Sequence, residues 1–227
     1  MPKNQETQKT IARYIPLVQF LGSFLGERCE VVLHDTENKE ESVVAIANGH
    51  ISGRTVGAPL TDLALRLVAE KKYEESEWFK GYGAYSQDNI PLHSATYFIK
   101  NDDGSLAGLL CLNMDVSSLV QVQEMLDNVF KAMNVDVPFV KGESHAEVCC
   151  EESFTDNIED VTENIIRDVV EQAAVLPERM TTAEKMDIMR TLHGKGVFLL
   201  KGSIGMIAKK LAASEATIYR YLQNIER

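Results

Sequence analysis

The sequence predicts an α+β protein: an antiparallel sheet with helices first, then an all-α C-terminal domain. Three observations predict it. Short β-branched runs bounded by turn residues occupy residues 29–114. Apolar residues at helical spacing dominate beyond residue 158. The charge changes sign between the two parts. The expected boundaries are a sheet domain over 1–133, an acidic linker over 134–157, a connecting amphipathic helix over 158–180 and a second domain over 181–227.

The chain has 227 residues and a formal net charge of −11, which alone argues against a nucleic-acid partner. Residues 181–227 hold eight Lys/Arg and four Asp/Glu, so the tail is +4 and the remainder is −15. Such asymmetry points to two jobs. Residues 134–163 carry nine acids and only Lys141 against them, and their plain reading is a solvated acidic stretch. No apolar run reaches the length of a membrane span. The polar N-terminus has no signal-peptide core. Four cysteines, Cys29, Cys111, Cys149 and Cys150, are too few for a disulfide scaffold. A reduced, cytoplasmic chain is expected.

In residues 8–25, Ile11, Tyr14, Ile15, Val18, Leu21 and Leu25 form one helical face, and Pro16 kinks it or starts a second piece. Residues 29–34 and 42–47 read as two strands of a hairpin. Residues 60–73 predict a helix capped by Thr61 or Asp62. Strands follow near 79–86, 93–100 and 106–114. The last two are joined by Asn101-Asp102-Asp103-Gly104-Ser105, whose glycine supplies the turn's positive φ. Both faces of 106–114 are apolar, so that strand is central. Helix, two strands, helix, three strands is the outline of a PAS-type sensor domain, which holds a small molecule between sheet and helices.

Residues 116–133 predict a helix leaving the sheet, capped by Ser117 or Ser118 and carrying Leu119, Val122, Leu126 and Phe130. Ile158, Val161, Ile165, Ile166, Val169, Val170 and Ala173 form another stripe, which packs on its own domain or also on a second subunit. Thr181-Thr182-Ala183-Glu184 is a capping box. Met186, Ile188 or Met189, and Leu192 give that helix its core face, and Gly194 and Gly196 can end it.

Residues 203–222 have the parts of a helix-turn-helix. Ala208 is the small residue where the helices cross, Ala212-Ala213 is the turn, and Ser214 caps the second helix. Ile218 and Leu222 anchor it. Glu215, Ala216, Thr217, Tyr219 and Arg220 are then exposed, the early ones towards a major groove, and Lys209, Lys210 and Arg220 can meet phosphates. An alanine replaces the usual turn glycine, at a cost of roughly 1 kcal/mol.

At these residues the chain resembles the bacterial YheO-like regulators, also called DauR-like. The matching stretches are CEVVLHD (29–35), SVVAIANGHISGRTVGAPLTDLAL (42–65), SATYFIKNDDGSLAGLLCLNMD (94–115) and EKMDIMRTLHGKGVFLLKGSIGMIAKKLAASEATIYRYL (184–222). The resemblance implies a PAS domain followed by a helix-turn-helix, and DNA-binding transcriptional regulation with an attached sensor. The acidic stretch and Cys149-Cys150 match no motif of that family.

No catalytic constellation accompanies His34-Asp35, because neighbouring strand residues face opposite ways. His50, His93, His145 and His193 lack metal-ligand spacing. Glu147, Glu151 and Glu152 would raise, not lower, the Cys149 and Cys150 thiol pKa values. GRTVG (53–57) lacks the Gly-Lys-Ser/Thr ending of a phosphate loop. The expected effector contacts are His34, Asn48, Ser52, Thr61, Asp62, Tyr85, Ser94 and Tyr97, around a mostly apolar hollow. The expectation is a non-enzymatic regulator that binds double-stranded operator DNA as a homodimer and answers to an effector of unknown identity, with no metal and no membrane. The alternative is a sensor whose helical tail docks another protein.

Overall fold

A computed structural model describes residues 3–133, 152–154, 157–173 and 175–225. The first helical stretch divides where Pro16 requires it. Helix α1 (Lys3–Ala12) ends before the proline, and α2 (Ile15–Leu25) begins with Pro16 in its first turn, where a missing N–H costs nothing.

Strands β1 (Cys29–Asp35) and β2 (Val43–Ala47) follow. The expected helix over 60–73 is two pieces, α3 (Asp62–Ala69) and the single turn α4 (Lys72–Glu75). Lys71 sits between them in the left-handed region (φ 52°), which breaks the helical path. Thr61 caps α3 by accepting the N–H of Ala64. Strands β3 (Trp78–Tyr85), β4 (Pro91–Lys100) and β5 (Leu106–Asp115) complete the expected five. Gly104, at φ 81°, forms the turn between β4 and β5 as the Asp-Gly pair predicts.

The sheet order is β2-β1-β5-β4-β3-β6, antiparallel except for its last pair. β5 is central. A sixth strand, β6 (Glu152–Ser153), pairs in parallel with β3. It lies in the stretch read as a linker. The next residue, Phe154, is buried against Ile51, Ala84 and Leu92. Most of the acidic stretch, with Cys149 and Cys150, lies outside the described residues.

The sheet has two faces with different covers. Val31, Leu33 and Leu110 pack beneath Ile11 of α1 and Val18 of α2. Val32, Phe98 and Leu109 pack towards α3. That second cluster continues without a break into the C-terminal helices. These are α6 (Ile158–Glu171), α7 (Thr182–Gly194), α8 (Ser203–Lys210) and α9 (Glu215–Ile225). Leu60, Leu63, Leu65 and Leu67 share one core with Val161, Ile166, Met189, Leu192 and Ile207. The two parts are therefore in direct contact through α3. Lys201 adds a 3.4 Å ion pair to Glu40 at the same junction, exposed on its lysine side and worth little.

The stripe on α6 is buried against α7 and α8, within its own domain. The capping box of α7 is complete: Thr181 accepts the Glu184 N–H, and the Glu184 carboxylate accepts the Thr181 N–H. Helix α5 (Ser117–Ala132) leaves the sheet at the end of β5. Neither expected serine caps it. Val116 holds the cap position without a side-chain bond. Ser117 is already helical and donates its N–H to Asp115, and Ser118 meets Arg28 instead.

Candidate nucleic-acid interface and sensor face

The helix-turn-helix is built as its residues require. Ala208 is buried at the crossing, and the turn closes with Leu211 N–H on the Ile207 carbonyl (2.9 Å) and Ala213 N–H on the Ala208 carbonyl (3.0 Å). The left-handed residue is Ala212, at φ 47°. Lys185 of α7 places its ammonium 2.6 Å from the Leu211 carbonyl, which neutralises the C-terminal end of α8. Ser214 caps α9 by accepting the Thr217 N–H (3.2 Å). The inner anchors of α9 are Ile218 and Tyr221, both buried. Leu222, the expected second anchor, is only half-buried. Tyr221 lies three residues after Ile218, on the same helical face, and carries its ring into the core.

Of the expected DNA contacts, Lys209, Lys210, Ser214, Glu215, Ala216, Tyr219 and Arg220 are exposed, and Thr217 is half-buried. The Thr217 hydroxyl sits 2.9 Å from Ser214 Oγ, so both hydroxyls belong first to the cap. Lys210 pairs with Glu163 of α6 at 3.5 Å. Arg220 lies over the Tyr221 ring, 5.7 Å from its centre. Tyr219 stands out from the surface at 53% exposure. The exposed side of α9 therefore offers an aromatic ring, a guanidinium and short side chains, with Lys209 and Lys210 on the preceding helix.

The sheet face beneath α3 is unusually polar for a covered surface. Glu30 is fully buried. Its carboxylate accepts the Ser52 N–H (3.3 Å) and Oγ–H (2.5 Å) on one oxygen, and the Asn113 amide (2.8 Å) on the other. Asn113 in turn accepts the Ser94 hydroxyl at 2.8 Å. Burial pushes the Glu30 carboxyl above its ordinary value, opposed by Ser52, Asn113 and the nearby Arg54 charge. Arg54 is itself buried, donates to the Pro59 carbonyl and lies 5.9 Å from the centre of the Phe154 ring. His34 is buried with Nδ1 2.8 Å from Ser42 Oγ, and burial, then Arg54, holds its pKa well below the ordinary value. Tyr82 Oη, Thr96 Oγ1 and Cys111 Sγ continue the polar row at 2.9 and 3.4 Å.

Of the expected effector contacts, the structure brings His34, Ser52 and Ser94 to this face. It does not bring Tyr85 or Tyr97. Tyr97 is the strand neighbour of Thr96 and faces the other way. Burial, and then the Tyr97 hydroxyl, raises the pKa of Tyr14, at the start of α2. Tyr85 follows inward-facing Ala84 and is half exposed. Asn48 is also elsewhere, since its amide donates to the carbonyls of Gly22, Gly26 and Cys29 and ties α2 to β1. Thr61 and Asp62 serve the start of α3. Sequence reasoning missed Glu30, Arg54 and Asn113. The signal for two of them was present: period two places Glu30 with His34, and Asn113 with Cys111 and Leu109.

Among the described residues, no group of three or more His, Cys, Asp or Glu could hold a metal ion. No helix among them is long and apolar enough to cross a membrane.

Comparison with known proteins finds two family matches along the chain. Residues 5–131 match the YheO-like PAS domain, and residues 161–223 match an HTH domain. The second match begins inside α6, consistent with packing of that helix into the C-terminal core. An uncharacterized protein of Haemophilus influenzae is 30% identical over 226 residues, covering 100% of this chain and 96% of its own. Uncharacterized protein YheO of Escherichia coli K12 is 28% identical over 231 residues, covering 99% of this chain and 88% of its own.

Proposed function

The chain belongs to the YheO-like PAS family, and on that premise we propose that it is a cytoplasmic transcriptional regulator that binds operator DNA as a homodimer. Its domains are of the sensor and DNA-binding types rather than enzymatic ones. The carrying observation is the geometry of α8 and α9. A tight left-handed turn at Ala212 and the Ser214 cap present an exposed α9 face beside Lys209 and Lys210. In this reading α9 enters the major groove, Tyr219, Ala216 and Glu215 approach base edges, and Arg220 with the two lysines meets phosphates. A two-fold dimer would read two half-sites.

The effector site of this reading is the polar sheet face around Glu30, Ser52, Ser94, Asn113, Arg54 and His34. A small molecule there controls DNA binding only by favouring one arrangement of the two domains over another. The shared core through α3 supports such a route, because α3 packs with Val32, Phe98 and Leu109 of the same sheet face and also touches α7.

The test is selection of genomic fragments by the full chain, followed by gel shift across a salt series. Enrichment of one sequence and a fall in affinity with salt are expected, with a slope of about 0.9 per phosphate neutralised. Lys209→Ala should lower that slope by about 1 while leaving sequence preference intact. Binding with neither preference nor salt slope rejects the DNA reading in favour of a tail that docks protein.

A further inference from the structure

Helix α5 contributes no buried residue to the fold. Leu119, Val122, Leu126, Val129 and Met133 nevertheless recur along it at steps of three, four, three and four. Their exposures run from 43% at Leu126 to 68% at Leu119. Met125 widens the same stripe and is 67% exposed. A mean step of 3.5 residues is the period of a helix that packs lengthwise on another helix. Core packing does not explain the stripe, because among the described residues its side chains join no buried cluster.

We propose that α5 is the seam on which a second copy of this chain docks, helix against helix. The occupant follows from the positions that flank the stripe. Ser118, Gln123, Met125, Phe130 and Ala132 border it, and none carries a charge. Glu124, Asp127 and Lys131 all lie on the remaining side. An identical helix therefore meets no like charge, although the chain as a whole is −11. A charged partner would find nothing on the border to pair with. The stripe is also self-complementary about its middle residue, Leu126, as a two-fold axis requires. The helix is about 24 Å long, so neighbouring sensor surface shares the contact. The proposal gives a location to the homodimer proposed above and rests on that part of the reading.

Light scattering of the full chain after size exclusion should give twice the 25.3 kDa chain mass. Leu126→Glu should give the single mass with an unchanged circular dichroism spectrum, since α5 holds no buried residue of its own chain, and with a melting temperature that no longer rises with protein concentration. Glu124→Arg, on the far side of α5, should leave the doubled mass. In a Cys149→Ser/Cys150→Ser chain, Leu126→Cys should cross-link to its copy on mild oxidation whichever way the helices run, and Glu124→Cys should not. A wild-type chain of single mass overturns the proposal. So does a Leu126→Glu chain that keeps the doubled mass, or equal cross-linking at both positions. A single-mass chain that still shifts a selected operator removes the seam and spares the regulator. A seam dimer that selects no DNA does the reverse.

Discussion

Gly196 meets the backbone of Leu65 so closely that a methyl group on Gly196 would lie 2.8 Å from the Leu65 carbonyl oxygen. The same methyl would lie 3.1 Å from Ala69 Cβ. Gly196 follows α7, and both of its neighbours belong to α3, so this contact joins the DNA-binding part to the sensor part. The glycine also sits at φ 76°. Two requirements, a left-handed backbone and a close approach, fall on one residue.

Gly196→Ala should therefore destabilise the full chain by roughly 2–4 kcal/mol, adding left-handed strain to overpacking. Gly194 supplies the contrast. It is the last residue of α7, and a methyl there meets nothing within 4 Å. Gly194→Ala should be neutral or stabilise by up to about 1 kcal/mol. Urea unfolding of both variants reads the difference. Equal midpoints would mean that the α3 contact does not hold the two parts together.

Asn113→Ala should cost roughly 1–3 kcal/mol, because it removes a donor from a buried carboxylate and the acceptor of the Ser94 hydroxyl. The loss should depend on pH. The folded-state pKa of Glu30 is raised above its ordinary 4.5, so the native protein holds the proton more readily than the unfolded chain. At low pH the carboxyl is neutral and needs the amide less. The gap between the thermal melts of wild type and variant should narrow as pH falls towards 4.5, leaving the part due to Ser94. A constant gap across that range would show that Glu30 is not what Asn113 serves.

His34 gives a slope of the opposite sign. Its folded pKa lies well below the ordinary 6.5 because the ring is buried and Arg54 is near. Below pH 6.5 the unfolded chain takes up a proton that the folded chain refuses, so stability is lost as pH falls from there. His34→Asn keeps a polar atom towards Ser42 and cannot charge. Its melting temperature relative to wild type should rise progressively between pH 7 and pH 5. A flat difference over that window would place the ring in water rather than buried beside Ser42.

These two predictions concern residues that the sequence revealed unequally. Helix and strand positions were legible because they rest on local periods: Pro16 divides α1 from α2, Gly104 turns β4 into β5, and Thr181 with Glu184 starts α7. The helix-turn-helix was legible for the same reason, its parts being consecutive. The polar face was only half legible. Ser52 and Arg54 reach Glu30 from a loop whose path no period fixes, and Asn113 reaches it across 83 residues. Tyr85 and Tyr97 misled because aromatic hydroxyls suggest a ligand, whereas strand alternation sends them away from the polar face. Phe154 was hidden by its acidic neighbours, since charge density speaks of the segment and not of one ring within it.

Ala212 carries the last prediction. It is the left-handed residue of the turn between α8 and α9, at φ 47°, where a side chain crowds the following carbonyl. Relief of that strain by glycine is worth roughly 1–2 kcal/mol. Glycine also gives the unfolded chain more freedom, at a cost of roughly 0.5–1 kcal/mol. The first effect is larger, so Ala212→Gly should stabilise the chain by about 0.5–1 kcal/mol. The Ala212 side chain is exposed, and its methyl fills no core position. The Leu211 and Ala213 backbone bonds that close the turn need no side chain at 212. DNA affinity at fixed salt should then be unchanged, since Lys209, Tyr219 and Arg220 keep their places. Calorimetric melting of the full chain reads the first outcome and a gel shift the second. A lower melting temperature would show that the turn carries no strain at Ala212. A raised melting temperature with lost DNA binding would show that the alanine methyl itself meets the DNA.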